Sequence, residues 1–147
     1  MEEALTDPLG EYGVKHVAPG YYWEARYLQE PEKIRATMQA FIEAAMADKA
    51  SYFHCRVGAD RTGYVGFLLE SLLGVSVKDS SIDFEMTSFS SAVGTRRRTE
   101  PNLYRDALEF LSRFPGGTIK EKAEYYMTKE LGFDPEKIKE FRDKVLE

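Results

Sequence analysis

The stretch Tyr52-Phe53-His54-Cys55-Arg56-Val57-Gly58-Ala59-Asp60-Arg61-Thr62-Gly63 decides how the rest of the chain is read. An apolar run enters the chain's only cysteine, five residues separate Cys55 from Arg61, and an apolar-periodic segment begins directly after Thr62. This layout predicts a strand, a tight loop and a helix N-terminus, with a thiol where the loop begins and a guanidinium where it ends. Gly58 and Gly63 give conformational freedom where backbone N–H groups must converge on one centre. A helix starting near Asp60 or Arg61 adds its orphan donors and the positive end of its dipole. Such a cup suits a dianionic oxyanion, and it favours thiolate over thiol.

His54-Cys55 with Arg61-Thr62 resembles the H-C-x5-R-[ST] loop of the cysteine-dependent protein tyrosine phosphatases. The longer string H-C-x-x-G-x-D-R-T-G is similar to their bacterial branch of tyrosine and dual-specificity phosphatases, which carry an Asp beside the loop Arg. Leu72-Leu73-Gly74-Val75-Ser76 and Asp83-Phe84-Glu85-Met86-Thr87-Ser88 resemble the helical segments that follow the loop in that branch. The resemblance extends over roughly residues 14 to 147.

Length and composition set outer bounds. A chain of 147 residues can bury a core as one domain without covalent staples, and 43% hydrophobic with 31% charged residues is ordinary for a globular protein. The net charge of −5 leaves no excess of Lys and Arg for a nucleic-acid surface, so no nucleic-acid partner is expected. One cysteine precludes an internal disulfide. No apolar run reaches membrane-spanning length, and the start Met1-Glu2-Glu3 is unlike a signal peptide. The expectation is a cytoplasmic protein with no membrane partner, secretion without a cleaved signal remaining open.

Residues 1–13 read as an irregular N-terminal segment, and Val14–Val17 as a short strand closed by Pro19-Gly20. After an aromatic-rich loop, Pro31 suits a helix start, and Ile34, Met38, Phe41, Ile42 and Ala45 fall at helical spacing. Ser51–His54 reads as the central strand. From Thr62 on, Val65, Leu68, Leu69, Leu72 and Leu73 form a broad apolar stripe that Gly74 ends. Further on, Ser76 with Asp79 caps one segment, Leu103, Ala107, Leu108 and Leu111 line another, and Pro115-Gly116-Gly117 breaks it. Thr118 with Glu121 forms a capping box for a helix that Gly132 ends. Asp134-Pro135 opens a last helix with Ile138, Phe141 and Val145 facing inward. The expected fold is a single α/β domain, 1–147: a parallel-sheet tyrosine-phosphatase-like domain with helices on both faces and a helical C-terminal half. It is an N-terminally short version, because relatives carry more strands before Val14–Val17. Either the chain is naturally short or it is a fragment of a longer parent. An unfinished sheet edge would invite a homo-oligomer.

The resemblance implies hydrolysis of phosphate monoesters in two displacements. Cys55 attacks phosphorus, a carboxylic acid protonates the departing oxygen, and water then hydrolyses the Cys55 thiophosphate. A free thiol of pKa ~8.5 is mostly protonated at neutral pH, whereas helix N-termini and cations bring cysteines to roughly 3.5–7.5. An inert buried cysteine is the bland alternative. Arg61 would grip two equatorial oxygens in a fork, and the loop Arg56, Val57, Gly58, Ala59, Asp60 and Arg61 would bind the phosphate. Thr62 would donate toward the Cys55 sulfur, or cap the helix, and the two are compatible. His54 and Gly63 would support the loop. Within the branch the general acid is the loop Asp, here Asp60, which could equally be a plain N-cap. The alternative acid is Glu24, since residues 18–30, where other phosphatases carry the acid, hold no Asp.

No metal is expected, because only His16 and His54 exist and no ligand spacing joins them to carboxylates; no cofactor is expected either. Ala59 stands where many relatives have the Lys linked to phosphoinositide hydrolysis. Arg56 and Arg96-Arg97-Arg98 could restore that charge, the latter equally as a solvated loop. Tyr21, Tyr22, Trp23 and Tyr27 could wall a phosphotyrosine pocket or pack the rim. The expected activity is a phosphatase for phosphotyrosine, with phosphoserine or phosphothreonine as a wider option, and a phosphorylated protein or peptide as substrate. A catalytically weak or inactive phosphate-binding module and a phosphoinositide phosphatase are the alternatives. With no second thiol, peroxide should inactivate Cys55 readily.

Overall fold

In the computed structural model the described residues are 31–55, 58, 60–86 and 103–147. They form α1 (Pro31–Met46), α2 (Arg61–Leu73), α3 (Val77–Met86), α4 (Leu103–Ser112), α5 (Ile119–Tyr125), a π turn (Tyr126–Glu130) and α6 (Pro135–Leu146). Helix α2 is the axis. Tyr64, Val65, Phe67, Leu68, Ser71 and Leu72 are all buried, which covers most of its circumference. A helix apolar nearly all round must be wrapped by others. Accordingly α3, α4, α5 and α6 pack on α2, while α1 packs on α6. Ile34, Met38 and Ile42 carry α1 into the same core, where Phe110, Leu111, Tyr126, Met127, Ile138 and Phe141 join them.

The expected parallel-sheet α/β architecture with helices on both faces is corrected here: the described residues contain no strand. Ser51–His54, expected as the central strand, has no ladder partner among the described residues. Strand geometry without pairing leaves its N–H and C=O groups unpaid by hydrogen bonds, so a lone segment does not count as sheet. Tyr52 is 79% exposed, whereas a central strand is covered on both faces. Phe53 instead packs in a T-shaped contact with Phe41 of α1, with centroids 5.0 Å apart. Val14–Val17 lies outside the described residues, as does the segment 1–13. The open sheet edge behind the expected homo-oligomer likewise has no counterpart among the described residues. The helical C-terminal half is present.

Local chemistry sets the helix ends. Asp79 N–H donates to Ser76 Oγ at 3.1 Å, opening α3. Thr118 and Glu121 form the reciprocal capping box of α5, and Asp134 caps α6 ahead of Pro135. Gly74 ends α2 in the left-handed conformation. In the π turn Leu131 N–H reaches back to Tyr126 C=O at 3.0 Å. Val145, expected to face inward, is 44% exposed, because the last turn of α6 runs past the core. No helix of the described residues is long and apolar enough to cross a membrane.

Helices α2 and α3 are also joined by an acid pair. Burial, then the neighbouring charge of Asp83 and a hydrogen bond with it, push the Glu70 carboxyl up from 4.5 to about 7. The folded protein therefore holds a proton between these values that the unfolded chain has released, and stability falls as pH rises across that window. The shift corresponds to about 3 kcal/mol at face value, but solvent screening of a carboxyl this accessible leaves about 1–2 kcal/mol. Glu70→Gln, which cannot ionise, should flatten the decline. Wild type should lose about 3–6 °C of Tm more than the variant between pH 4.5 and pH 8. Equal pH slopes by calorimetry would remove this role for the pair.

Candidate active site

The segment Ser51–Cys55 delivers the cysteine to a short loop that turns directly into α2. Cys55 is half-buried. Gly58 has φ +72°, the left-handed conformation that side-chain-bearing residues resist, and so it turns the loop. Asp60 takes the N-cap position with φ −92° and ψ −77°, and its C=O accepts from Tyr64 N–H at 2.9 Å. Its side chain makes no capping hydrogen bond. The favoured structural use of an Asp at this position is thus not taken up.

Arg61 and Thr62 are the first two residues of α2, and both are half-buried. The backbone N–H groups of Asp60, Arg61, Thr62 and Gly63 are therefore the four donors that a helix start leaves without intrahelical partners. Together with the helix dipole they make the loop side of α2 electropositive. Thr62 Oγ1 is buried and has no hydrogen-bond partner among the described residues. A hydroxyl in that state costs roughly 1–3 kcal/mol unless something supplies a partner, which makes it a donor available to a bound group or to sulfur.

His54 lies exposed, with Nδ1 3.2 Å from the Cys55 carbonyl oxygen. A carbonyl only accepts, so Nδ1 carries the hydrogen in this contact. The ring also lies 5.5 Å from that of Tyr52. Gly63, expected to support the loop, lies within the first turn of α2. It is helical, and what matters is its missing side chain: a Cβ there would come 2.7 Å from Phe84 Cζ. Of the other expected site residues, Arg56, Val57, Ala59 and Glu24 lie outside the described residues, as do Tyr21, Tyr22, Trp23, Tyr27 and Arg96–Arg98. Among the described residues no cluster of His, Cys, Asp and Glu could hold a metal ion.

Two features were not read from the sequence. One is Phe84 against the first turn of α2. The other is the Glu70–Asp83 pair, whose signal was a lone acid interrupting the apolar stripe of α2. Tyr104 belongs to the same region: its OH donates to the Val77 carbonyl at 2.7 Å and shares a hydrogen bond with Ser80 Oγ at 2.9 Å. Burial pushes the Tyr104 hydroxyl up, against the lowering effect of Ser80.

No solved structure matches the chain. It is 39% identical over 49 residues to a Cupriavidus necator protein named provisionally as a tyrosine-protein phosphatase; the match spans 33% of this chain and 18% of that protein. The chain thus matches less than a fifth of that relative's length. A family model described as the tyrosine phosphatase family matches residues 7–147, nearly the whole sequence, and on that ground the chain belongs to the tyrosine phosphatase family.

Proposed function

We propose that this chain hydrolyses phosphate monoesters of tyrosine in proteins or peptides through a thiophosphate on Cys55. The observation that carries the proposal is the start of α2. Arg61 and Thr62 open it at the spacing from Cys55 that the family's loop requires, and four backbone donors gather there. In this scheme Cys55 Sγ, as thiolate, forms a bond to phosphorus while the ester oxygen leaves and takes a proton from a carboxylic acid. Water then attacks phosphorus, gives its proton to that carboxylate, and inorganic phosphate leaves with the thiolate restored. Arg61 holds two phosphoryl oxygens, and the N–H groups of the loop and first turn share the charge. Thr62, with its buried unpartnered hydroxyl, stabilises the departing thiolate.

Turnover of matched phosphotyrosyl, phosphoseryl and phosphothreonyl peptides and of a phosphoinositide tests the substrate class. The phosphotyrosyl peptide should give the highest kcat/KM. A preference for the phosphoinositide would replace this substrate, and no turnover of any would leave only phosphate binding.

Asp60 is the proposed general acid, since its carboxylate is not consumed in capping α2. Asp60→Asn should lower kcat about 10²–10³-fold on phosphotyrosine and abolish the alkaline limb of the pH–rate profile. The loss should be smaller on para-nitrophenyl phosphate, whose leaving group needs less protonation. Retention of that limb in Asp60→Asn, with its loss in Glu24→Gln, would transfer the role to Glu24.

A further inference from the structure

Phe84 lies outside the H-C-x5-R-T loop, yet it touches the loop's helix at the position where its donors end. The residue is 4% exposed and sits one residue from Asp83 near the C-terminal end of α3. Measured from where a Cβ of residue 63 would stand, Phe84 Cζ is at 2.7 Å, Cε2 at 2.8 Å and Cε1 at 3.2 Å. Real Cβ atoms do not sit so close, so the ring occupies space that only glycine leaves open. Gly63 contributes the last of the four backbone N–H groups at the head of α2 that have no acceptor within the helix itself.

The ring is itself held. Its centroid is 6.0 Å from that of Tyr64 on α2 and 5.6 Å from that of Tyr104 on α4, both near edge-to-face. Tyr104 in turn bonds the first turn of α3 through the Val77 carbonyl and Ser80 Oγ. Helix α3 is thus tied at its start and bears on the first turn of α2 near its end. Packed interiors transmit such displacements because they hold few voids to absorb them. A misplacement of about 1 Å at a reacting centre can cost 10²-fold.

We propose that Phe84, seated against Gly63, is a positioning residue that aims the N-terminal turn of α2 at the phosphoryl group held between Cys55 and Arg61. This rests on the phosphatase function proposed above. Phe84 touches no reacting atom; it acts through the backbone of Gly63.

The test uses the whole chain and three readouts: steady-state hydrolysis of para-nitrophenyl phosphate, the inhibition constant of inorganic phosphate, and the pH dependence of Cys55 alkylation by iodoacetamide. Phe84→Leu removes the three ring atoms nearest Gly63. It should lower kcat and weaken phosphate inhibition about 10-fold each, and move half-maximal alkylation upward in pH by about one unit, as the thiolate loses aligned dipoles. Phe110→Leu shortens another buried ring, one packed on Phe114 and Tyr126. It should lower Tm comparably and leave the alkylation profile where it was. Gly63→Ala should reproduce the Phe84→Leu defect, and the double variant Gly63→Ala/Phe84→Leu should regain activity, because the shorter side chain makes room for the methyl group.

The proposal is overturned if Phe84→Leu moves alkylation and phosphate inhibition no further than Phe110→Leu does. It is equally overturned if Gly63→Ala behaves as wild type. Should Phe84→Leu not fold, Phe84→Met keeps the volume while losing the flat ring and carries the same expectations. If wild type neither hydrolyses the ester nor binds phosphate, the phosphatase function fails separately, and the alkylation profile alone then decides whether Phe84 positions the turn around Cys55.

Discussion

Cys55→Ser is expected to lower kcat for para-nitrophenyl phosphate by about 10⁴-fold or more, with inorganic phosphate still bound. A serine hydroxyl is a weak nucleophile unless a base stands beside it. Binding depends on other groups: the guanidinium of Arg61 and the N–H donors at the head of α2. Removing a thiolate also removes its repulsion of an incoming dianion, so phosphate should bind as well or better. Calorimetry with inorganic phosphate, run beside the hydrolysis assay, separates the two effects. Turnover remaining above about 1% of wild type would mean that Cys55 does not carry the phosphoryl group.

The helix boundaries were legible because their causes lie within four residues. Ser76 and Asp79, the Thr118–Glu121 box, Asp134 before Pro135, and Gly74 each meet neighbours in the same few positions of sequence. Nothing distant can change that chemistry much. The core stripe of α2 was legible too, since Val65, Leu68 and Leu72 recur at helical spacing and all three are buried. The sheet was of another kind. A strand exists only through its partner, and a short apolar run such as Tyr52-Phe53 signals burial without naming what covers it. Here a T-shaped contact of Phe53 with Phe41 takes that part. Val145 erred for a similar reason: periodicity gives the direction of a side chain, while the length of the neighbouring helix decides whether anything meets it there.

In the candidate site the same division holds. Cys55, Asp60, Arg61 and Thr62 stand close in sequence, so their spacing already implied a loop delivering them to a helix start, and α2 does begin at Arg61. The contact of Phe84 with Gly63 spans 21 positions and depends on how α3 lies across α2. Gly63 could be seen as a glycine inside a helical pattern, which signals either a free backbone or a close neighbour. The sequence does not distinguish these, and the close neighbour is what the fold supplies. The Glu70–Asp83 pair likewise needs the α2–α3 packing to bring two carboxyls within a hydrogen bond.

Arg61→Lys keeps the charge and nearly the same helix propensity, so Tm should be almost unchanged, and yet kcat should fall by about 10³-fold. The difference lies in shape. A guanidinium presents paired N–H donors in one plane and can follow two phosphoryl oxygens as charge moves onto the leaving group, whereas an ammonium is a single strongly hydrated point charge. Arg61 is half-buried at the first position of α2. A shorter reach from the same backbone site would leave the ammonium off the axis along which the four N–H donors point. Arg61→Ala should then be little worse than Arg61→Lys, since the fork rather than the charge carries the stabilisation. Kinetics on para-nitrophenyl phosphate for both variants, with thermal melts as control, make the comparison. A lysine variant within about 10-fold of wild type, beside a dead alanine variant, would reduce Arg61 to a source of positive charge and take the bidentate grip out of the mechanism.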